Sequence, residues 1–269
     1  MYERFYGLNE KPFSKTPDPR YLYKSRQHEE ALERILFAIQ EKELAVLTGD
    51  IGSGKTTLSR TAMDALDEGS LVINIINPRL SPTQFLKTIA KRLGIQDIRY
   101  FKQDIIEQMS ERIAELYEQH ITPVVFVDEA QLIPSKDTID EIRLLTNYQL
   151  DTSNLITIIL IGQTEFRERL QARHYRAFRQ RIGMSYHLGP LSMEDTGNYI
   201  NFRLKVAGRS EPLFTSSAVE MIYSHSNGVP RTINTICNNA LLYGYGEELG
   251  TIDDRAIQAI IEDIKISLA

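Results

Sequence analysis

The chain has 269 residues, of which 42% are hydrophobic and 25% are charged, which excludes global disorder and a fibrous architecture. Its length predicts one large α/β unit with a smaller appended domain. The formal net charge of −5 argues against a protein that coats nucleic acid by bulk electrostatics, although it leaves room for a local basic patch.

The N-terminal sequence MYERFYGLNEKPF lacks the basic region and apolar stretch of a signal peptide. No apolar run approaches the roughly 20 residues that span a bilayer. The only cysteine, Cys237, cannot form an internal disulfide, and its helical setting predicts a buried structural thiol. We therefore expect a soluble, cytoplasmic protein without direct membrane insertion, which would reach a membrane only through a partner.

Residues 1–40 are predicted to form a leader and a first helix, which His28 and Glu29 would begin. Three prolines restrict the leader to extended geometry, namely Pro12, Pro17 and Pro19.

Residues 41–190 alternate between strand and helix patterns. Short apolar runs rich in β-branched residues predict strands covered on both faces, at residues 44–49, 71–76, 123–129 and 155–162. Helical patterns lie between them, at residues 57–66, 81–94 and 101–120. In the second helix, Ser81 and Pro82 fit the start and Gly94 fits the stop. This alternation predicts a mostly parallel sheet flanked by helices.

Residues 191–269 carry only helical patterns, at 192–207, 215–226, 231–243 and 253–267. We therefore predict a small all-helical lid domain after the α/β core.

The sequence GDIGSGKT follows the first predicted strand and fits the pattern G-x-x-x-x-G-K-[ST]. Gly52 and Gly54 would let backbone N–H groups converge on phosphate oxygens, and the following helix would add its positive end. Lys55 should reach the β and γ phosphates, and Thr56 should ligate Mg²⁺. The alternative is a chance glycine turn before a helix. The predicted nucleotide-binding residues here are Gly49, Asp50, Ile51, Gly52, Ser53, Gly54, Lys55, Thr56 and Thr57.

The sequence VVFVDEAQ delivers two carboxylates at the end of a predicted strand, where open α/β sheets bind ligands. Asp128 would hold Mg²⁺, and Glu129 would orient or deprotonate the attacking water. The second carboxylate favours hydrolysis over a small-molecule kinase, although the pair could instead cap the next helix. Gln163, at the tip of the following strand, would reach the γ phosphate if the two strands are neighbours; otherwise it marks a plain strand-end turn.

The sequence resembles the AAA+ ATPases in five features taken together. These are the glycine motif, VDEAQ, the polar strand tip, FRQRI and GVPRTIN. The opening segment of residues 5–39, with IGQTEF and HLGPLS, is similar to the ExeA/GspA branch of bacterial secretion and pilus machinery, which is related to the TnsC and MuB transposition ATPases. The resemblance covers almost the whole chain and implies a P-loop NTPase fold with ATP and Mg²⁺ as cofactors. Secretion-type relatives often continue into a transmembrane helix and a peptidoglycan-binding region, so a chain that stops at Ala269 would be a truncated piece or a stand-alone ATPase.

The resemblance also implies roles for four polar side chains. Arg231 matches the sensor-2 arginine that reaches from the lid to the γ phosphate, although it could be a surface arginine at a helix start. Gln163 takes the sensor-1 place, where many members carry asparagine. Arg179 and Arg181 lie where the family carries the arginine finger of a neighbouring subunit, and we favour Arg181; plain helix-surface charge is the alternative.

In the family the leader wraps the adenine side of the pocket. Here Phe13 or Tyr21 could supply an aromatic wall, and packing under a helix is the alternative for either ring.

The leading functional hypothesis is an ATPase that forms a homo-oligomeric ring or filament and remodels an unidentified protein partner. A second is a regulator whose ATP state gates its assembly on duplex DNA, and a third is a sensor that binds nucleotide but barely hydrolyses it. Residues 165–182 carry six arginines against two glutamates and could face DNA phosphates, the next subunit or water. The five histidines show no metal-ligand spacing.

Overall fold

The computed structural model describes residues 1–14, 16, 18–150 and 153–268. Pro17 of the predicted leader and the terminal Ala269 lie outside the described residues. The chain forms two compact units. The helical unit comprises Met1–His28, Asp50–Thr57 and Gly189–Ala269, and the sheet unit comprises Glu29–Gly49 and Leu58–Leu188. The division into domains at residues 1–40, 41–190 and 191–269 stays a prediction.

The elements are numbered in chain order within the described residues. The strands are β1 (Leu44–Gly49), β2 (Ser70–Ile75), β3 (Thr122–Val127), β4 (Gln149–Leu150), β5 (Ser153–Asn154), β6 (Thr157–Gly162) and β7 (Ile182–Leu188). The helices are α1 (Tyr2–Tyr6), α2 (Arg26–Gln40), α3 (Lys55–Asp64), α4 (Pro82–Arg92), α5 (Lys102–Glu118), α6 (Lys136–Leu145), α7 (Thr164–Gln171), α8 (Arg176–Arg179), α9 (Met193–Val206), α10 (Ser216–Ser226), α11 (Pro230–Gly246) and α12 (Asp254–Leu268).

The sheet unit is built on a five-stranded sheet in the order β2-β3-β6-β1-β7. Each pair of neighbouring strands is parallel, which confirms the predicted parallel sheet. Every residue of β1 and β6 is buried, as is β3 from its second residue onward. These central strands therefore have both faces covered, as their apolar runs predict.

The two edge strands depart from the sequence prediction. We expected β2 to be covered on both faces, and this was wrong, because its side chains alternate between buried and exposed and Val72 is 38% exposed. The opposite edge strand, β7, was not predicted at all. Its sequence IGMSYHL contains Gly183 and polar residues on an exposed face, so it offers no apolar run. An edge strand pairs with only one neighbour and can leave one face exposed. The continuous apolar run that marks a central strand is therefore weaker in β2 and β7.

Helix α4 shows how local sequence sets the ends of an element. Ser81 and Gln84 form a reciprocal capping box, and Pro82 occupies the first turn. Gly94 follows the helix with φ +92°, in the left-handed region that favours glycine. Start and stop both confirm the prediction. Helix α2, by contrast, begins at Arg26, two residues before the predicted His28.

The helical unit joins α1, the leader and α9–α12 around one core. Phe13 is 2% exposed and packs edge-on against Phe214, with ring centroids 6.1 Å apart. Tyr21 is also buried, and the Arg203 guanidinium lies 4.6 Å from its ring centre. Both rings therefore support the packing alternative rather than an aromatic wall of a binding pocket. Cys237 is fully buried in the same core, as predicted.

Among the described helices, none has the combination of length and apolar character needed to cross a bilayer.

Candidate functional site

The loop between β1 and α3, which the sequence predicts to bind phosphate, is a tight turn. We call residues 50–54 the glycine loop. Gly52 and Gly54 adopt φ values of +84° and +102°, which L side chains rarely adopt. The Ser53 amide donates to the Asp50 carbonyl over 3.2 Å, and the Lys55 ammonium donates to the same carbonyl over 2.7 Å. Helix α3 then begins at Lys55, so its first-turn N–H groups face the loop.

Both glycines also permit close approach of other parts of the helical unit. The Arg231 amide donates to the Gly52 carbonyl over 3.2 Å, and a Cβ on Gly52 would collide with the Arg231 side chain. A Cβ on Gly54 would lie 3.1 Å from Nε2 of His28. The predicted phosphate-binding loop and the predicted sensor-2 arginine are therefore brought together at the backbone.

The turn that leads into α11 fixes the position of Arg231. Gly228 has φ +74°, and a Cβ there would collide with the Leu191 carbonyl. The Leu191 amide in turn donates to the Gly228 carbonyl over 2.9 Å. Pro230 then occupies the first turn of α11, one residue before Arg231, whose side chain is exposed.

The two predicted carboxylates follow β3 directly. The Asp128 amide donates to the Ile75 carbonyl of β2 over 2.9 Å, and Oδ1 of Asp128 accepts from the Glu129 amide over 2.8 Å. Glu129 has φ +52° and ψ +42°, a left-handed conformation that is strained for a residue with a side chain and is concentrated at functional sites. Its side chain caps no helix, and α6 is capped by Ser135 instead. The helix-capping alternative therefore finds no support at Glu129.

A network of two amides holds the Glu129 carboxylate. Oε2 of Glu129 accepts from Nε2 of Gln163 over 3.2 Å and also from Nε2 of Gln131. Oε1 of Gln131 accepts from the Gln163 backbone amide over 3.0 Å. The Gln163 side chain thus contacts the predicted base rather than marking a plain turn. Sequence reasoning missed Gln131, although it stands in the quoted VDEAQ, two residues after Glu129.

The register of the sheet brings these residues to one edge. Strand β6 lies between β1 and β3, with Gly162 opposite Thr48 and Leu160 opposite Val127. Asp128 and Gln163 therefore follow the carboxyl ends of neighbouring parallel strands. The glycine loop continues from the carboxyl end of β1, the next strand of the same sheet. This is the edge at which open α/β sheets bind ligands.

The two candidate finger arginines lie at the opposite edge of the sheet unit. Ile182, which follows Arg181, pairs with Leu44 at the amino end of β1, so Arg181 lies about 16 Å along the strand direction from the carboxyl edge. The Arg181 side chain is exposed and lines a polar cleft of about 210 Å³ with Glu43 and Asn154. Arg179 is instead engaged internally, because its Nη1 donates to the carbonyls of Leu170 and, over 3.0 Å, Ala172. Within the sheet unit, neither arginine is therefore brought to Asp128 or Glu129.

No group of three or more histidine, cysteine, aspartate or glutamate residues forms a ready-made metal site in the described part of the chain.

Comparison with known proteins identifies the fold and a relative. A family model described as an AAA domain matches residues 38–170. General secretion pathway protein A of Aeromonas hydrophila is 38% identical over 251 residues, which are 91% of this chain and 45% of that protein. The chain thus spans less than half the length of this curated relative.

Two solved structures share the fold over nearly the whole chain. A Drosophila ORC structure bound to DNA has a TM-score of 0.70 and 16% identity, and the match covers 95% of this chain and 64% of that one. The Aeropyrum pernix ORC2 protein in ADPNP and ADP complexes has a TM-score of 0.70 and 16% identity, covering 94% of this chain and 71% of that one. The chain therefore carries a match to an AAA domain over residues 38–170, shares the fold of these ORC structures, and is similar to general secretion pathway protein A over 91% of its length.

Proposed function

We propose that this chain binds ATP with Mg²⁺ at the glycine loop and hydrolyses it. The observation that carries the proposal is the Glu129 carboxylate held by two glutamine amides at the sheet edge from which the glycine loop continues. A protein that only binds nucleotide would not need a base oriented by two amides, and neither would a purely structural turn. The strained backbone and fixed carboxylate of Glu129 therefore favour hydrolysis. The proposal assigns phosphate contacts to the loop, Lys55 and Arg231, and γ-phosphate sensing to Gln163.

The side chains present suit the expected nucleotide and metal. The positive φ values of Gly52 and Gly54 suit a loop whose successive backbone N–H groups converge on an anion. The Thr56 hydroxyl and the Asp128 carboxylate are the oxygen ligands that Mg²⁺ prefers. When bound, Mg²⁺ offsets the charge on the β and γ phosphate oxygens.

Glu129 is proposed to take a proton from the attacking water. Its two amide partners both donate to Oε2, which leaves Oε1 to face the water. Gln131 and Gln163 would restrict the rotation of the carboxylate, so that the base is oriented before the substrate binds.

Phosphate release from ATP in the presence of Mg²⁺ tests this proposal. Lys55→Ala should lower turnover by about 100-fold or more, because the β and γ phosphates lose their cation. Lys91→Ala is the matched control, since Lys91 is exposed on α4, and it should leave turnover within about twofold. Equal turnover in wild type and Lys55→Ala would refute the proposed site.

We further propose that the chain assembles into a homo-oligomeric ring or filament in which Arg181 acts on the site of the neighbouring subunit. The support is the position of Arg181 at the sheet edge opposite Asp128, together with the internal contacts that occupy Arg179. Such a finger contributes roughly 10³ to 10⁵ in rate. ATPase activity per milligram should therefore rise with protein concentration, and a constant value would contradict a finger supplied in trans.

The relationship to general secretion pathway protein A supports a role in secretion or pilus machinery, where ATP turnover would remodel a protein partner. Because the activity consumes ATP, we propose that the domain works in the cytoplasm. In a host lacking the gene, secretion or pilus assembly should be restored by the wild-type gene but not by Lys55→Ala. Unchanged secretion and pilus assembly in the deletion strain would refute this role.

A DNA-bound regulator is the second candidate. Three exposed arginines, Arg167, Arg173 and Arg176, make no ion pair with any carboxylate in the described ranges. The Drosophila ORC structure, which shares the fold, is of that protein bound to DNA. A titration with a short DNA duplex at about 50 and 200 mM salt should show a steep salt dependence if these arginines meet phosphates. No binding at the lower salt would remove this candidate.

A further inference from the structure

His28 is a buried histidine that the proposed chemistry does not use. It lies in the first turn of α2 with 4% of its surface exposed, and both of its ring nitrogens have partners within the helical unit. Nδ1 lies 2.7 Å from the Ser25 hydroxyl, and Nε2 lies 3.1 Å from the carbonyl oxygen of Ser53 in the glycine loop.

The partners fix which ring nitrogen carries the proton. A carbonyl oxygen can only accept, so Nε2 must be the donor to Ser53. In the neutral ring Nδ1 then accepts, and the Ser25 hydroxyl donates to it. The pKa of His28 is lowered by burial, which favours this neutral ring. The result is a directed chain of hydrogen bonds from Ser25 through His28 to Ser53.

This chain controls the direction of one peptide group in the glycine loop. In a planar trans peptide the C=O and the N–H point to opposite sides. With the Ser53 carbonyl turned toward His28, the Gly54 N–H of the same peptide must point away from the imidazole. Gly54 has no Cβ, and this allows the ring to approach so closely.

We infer that His28 is a positioning residue that holds the Ser53–Gly54 peptide group with its N–H turned toward the phosphates of a bound nucleotide. The inference rests on the proposed nucleotide binding at the glycine loop. His28 touches the loop backbone and contributes to phosphate affinity through it. Without the Nε2–H donor, the peptide can rotate and the loop loses its preorganised N–H group.

Three substitutions separate this role from packing. Gln can place an amide N–H near the position of Nε2, Asn can place one only near Nδ1, and Phe keeps the ring but removes both polar atoms. We expect His28→Gln to bind a fluorescent ADP analogue with Mg²⁺ within about threefold of wild type. His28→Phe and His28→Asn should bind it about tenfold more weakly, which corresponds to the loss of one hydrogen bond.

Thermal unfolding of each variant without nucleotide is the control for a purely structural effect. Loss of affinity that follows the loss of Tm across all three variants would overturn the inference, as would His28→Asn binding as well as His28→Gln. If His28→Phe does not fold, the difference in analogue affinity between His28→Gln and His28→Asn decides the test by itself. Failure of the wild-type protein to bind the analogue would refute the proposed function instead, so the two failures are distinguishable.

Discussion

At the scale of single residues, the proposed chemistry depends on side chains that lie far apart in sequence and meet through hydrogen bonds. Glu129 and Gln163 are 34 positions apart, and Gln131 bonds to both of them. Sequence motifs indicate Lys55, Asp128 and Glu129, because phosphate and Mg²⁺ chemistry needs those residue types at fixed spacing. Gln131 and His28 could not be predicted in the same way, since each gains its role only from a contact made by folding.

Gln131 provides the first prediction. Gln131→Ala removes one of the two amides that hold the Glu129 carboxylate, so kcat for ATP should fall about tenfold while nucleotide affinity stays within about twofold. Steady-state kinetics and equilibrium binding measure the two quantities. Gln171→Ala, at an exposed position of α7, is the matched control. An unchanged kcat in Gln131→Ala would show that this amide does not orient the base.

Gly228 provides a prediction about stability. Alanine there would adopt a strained positive φ and collide with the Leu191 carbonyl, so we expect the free energy of unfolding to fall by about 2–4 kcal/mol. Urea denaturation of Gly228→Ala measures this. The control is Gly246→Ala, where a Cβ meets nothing within 4 Å and the change should be neutral or slightly stabilising. Equal stability of the two variants would contradict the close approach at Gly228.

At the scale of elements, the sequence predicts the centre of the fold better than its margins. Strands β1, β3 and β6 are buried on both faces, so their apolar runs identify them. Strands β2 and β7 form the sheet edges, where burial on one side is enough and the pattern is mixed. Hence β2 was assigned the wrong exposure and β7 was missed.

The capping box of α4 provides a prediction at this scale. Ser81→Ala removes the acceptor for the Gln84 amide and should lower the free energy of unfolding by about 1 kcal/mol. Ser110→Ala changes the same residue type at an exposed position inside α5, where alanine is the better helix former. Chemical denaturation that finds Ser81→Ala as stable as Ser110→Ala would contradict the role of the cap.

At the scale of the whole molecule, we propose that a second copy of the chain completes the site. Arg181 lies at the amino edge of the sheet, whereas Asp128 and Gln163 follow strands at the carboxyl edge. The family relationship and the parallel sheet were both predicted from sequence and are confirmed. Assembly stays a proposal, because a surface arginine in one chain does not identify its partner.

Mixing two inactive variants tests assembly. Arg181→Ala should bind nucleotide normally but turn it over slowly, and Glu129→Gln should do the same for a different reason. In a mixed assembly, a subunit with intact Glu129 can receive Arg181 from a neighbouring Glu129→Gln subunit. An equimolar mixture should then recover about a quarter of wild-type activity, the fraction expected from random assembly. Activity that stays at the level of the separate variants would contradict a shared site.

The most direct test of the central claim is a paired measurement of ATP binding and ATP turnover in Glu129→Gln. The substitution keeps the shape of the side chain and removes its ability to accept a proton. With Mg²⁺ present, we predict ATP affinity within about threefold of wild type, turnover lower by about 100-fold or more, and ATP that remains bound and uncleaved. Normal turnover in this variant would contradict the assignment of Glu129 as the base and with it the proposed mechanism.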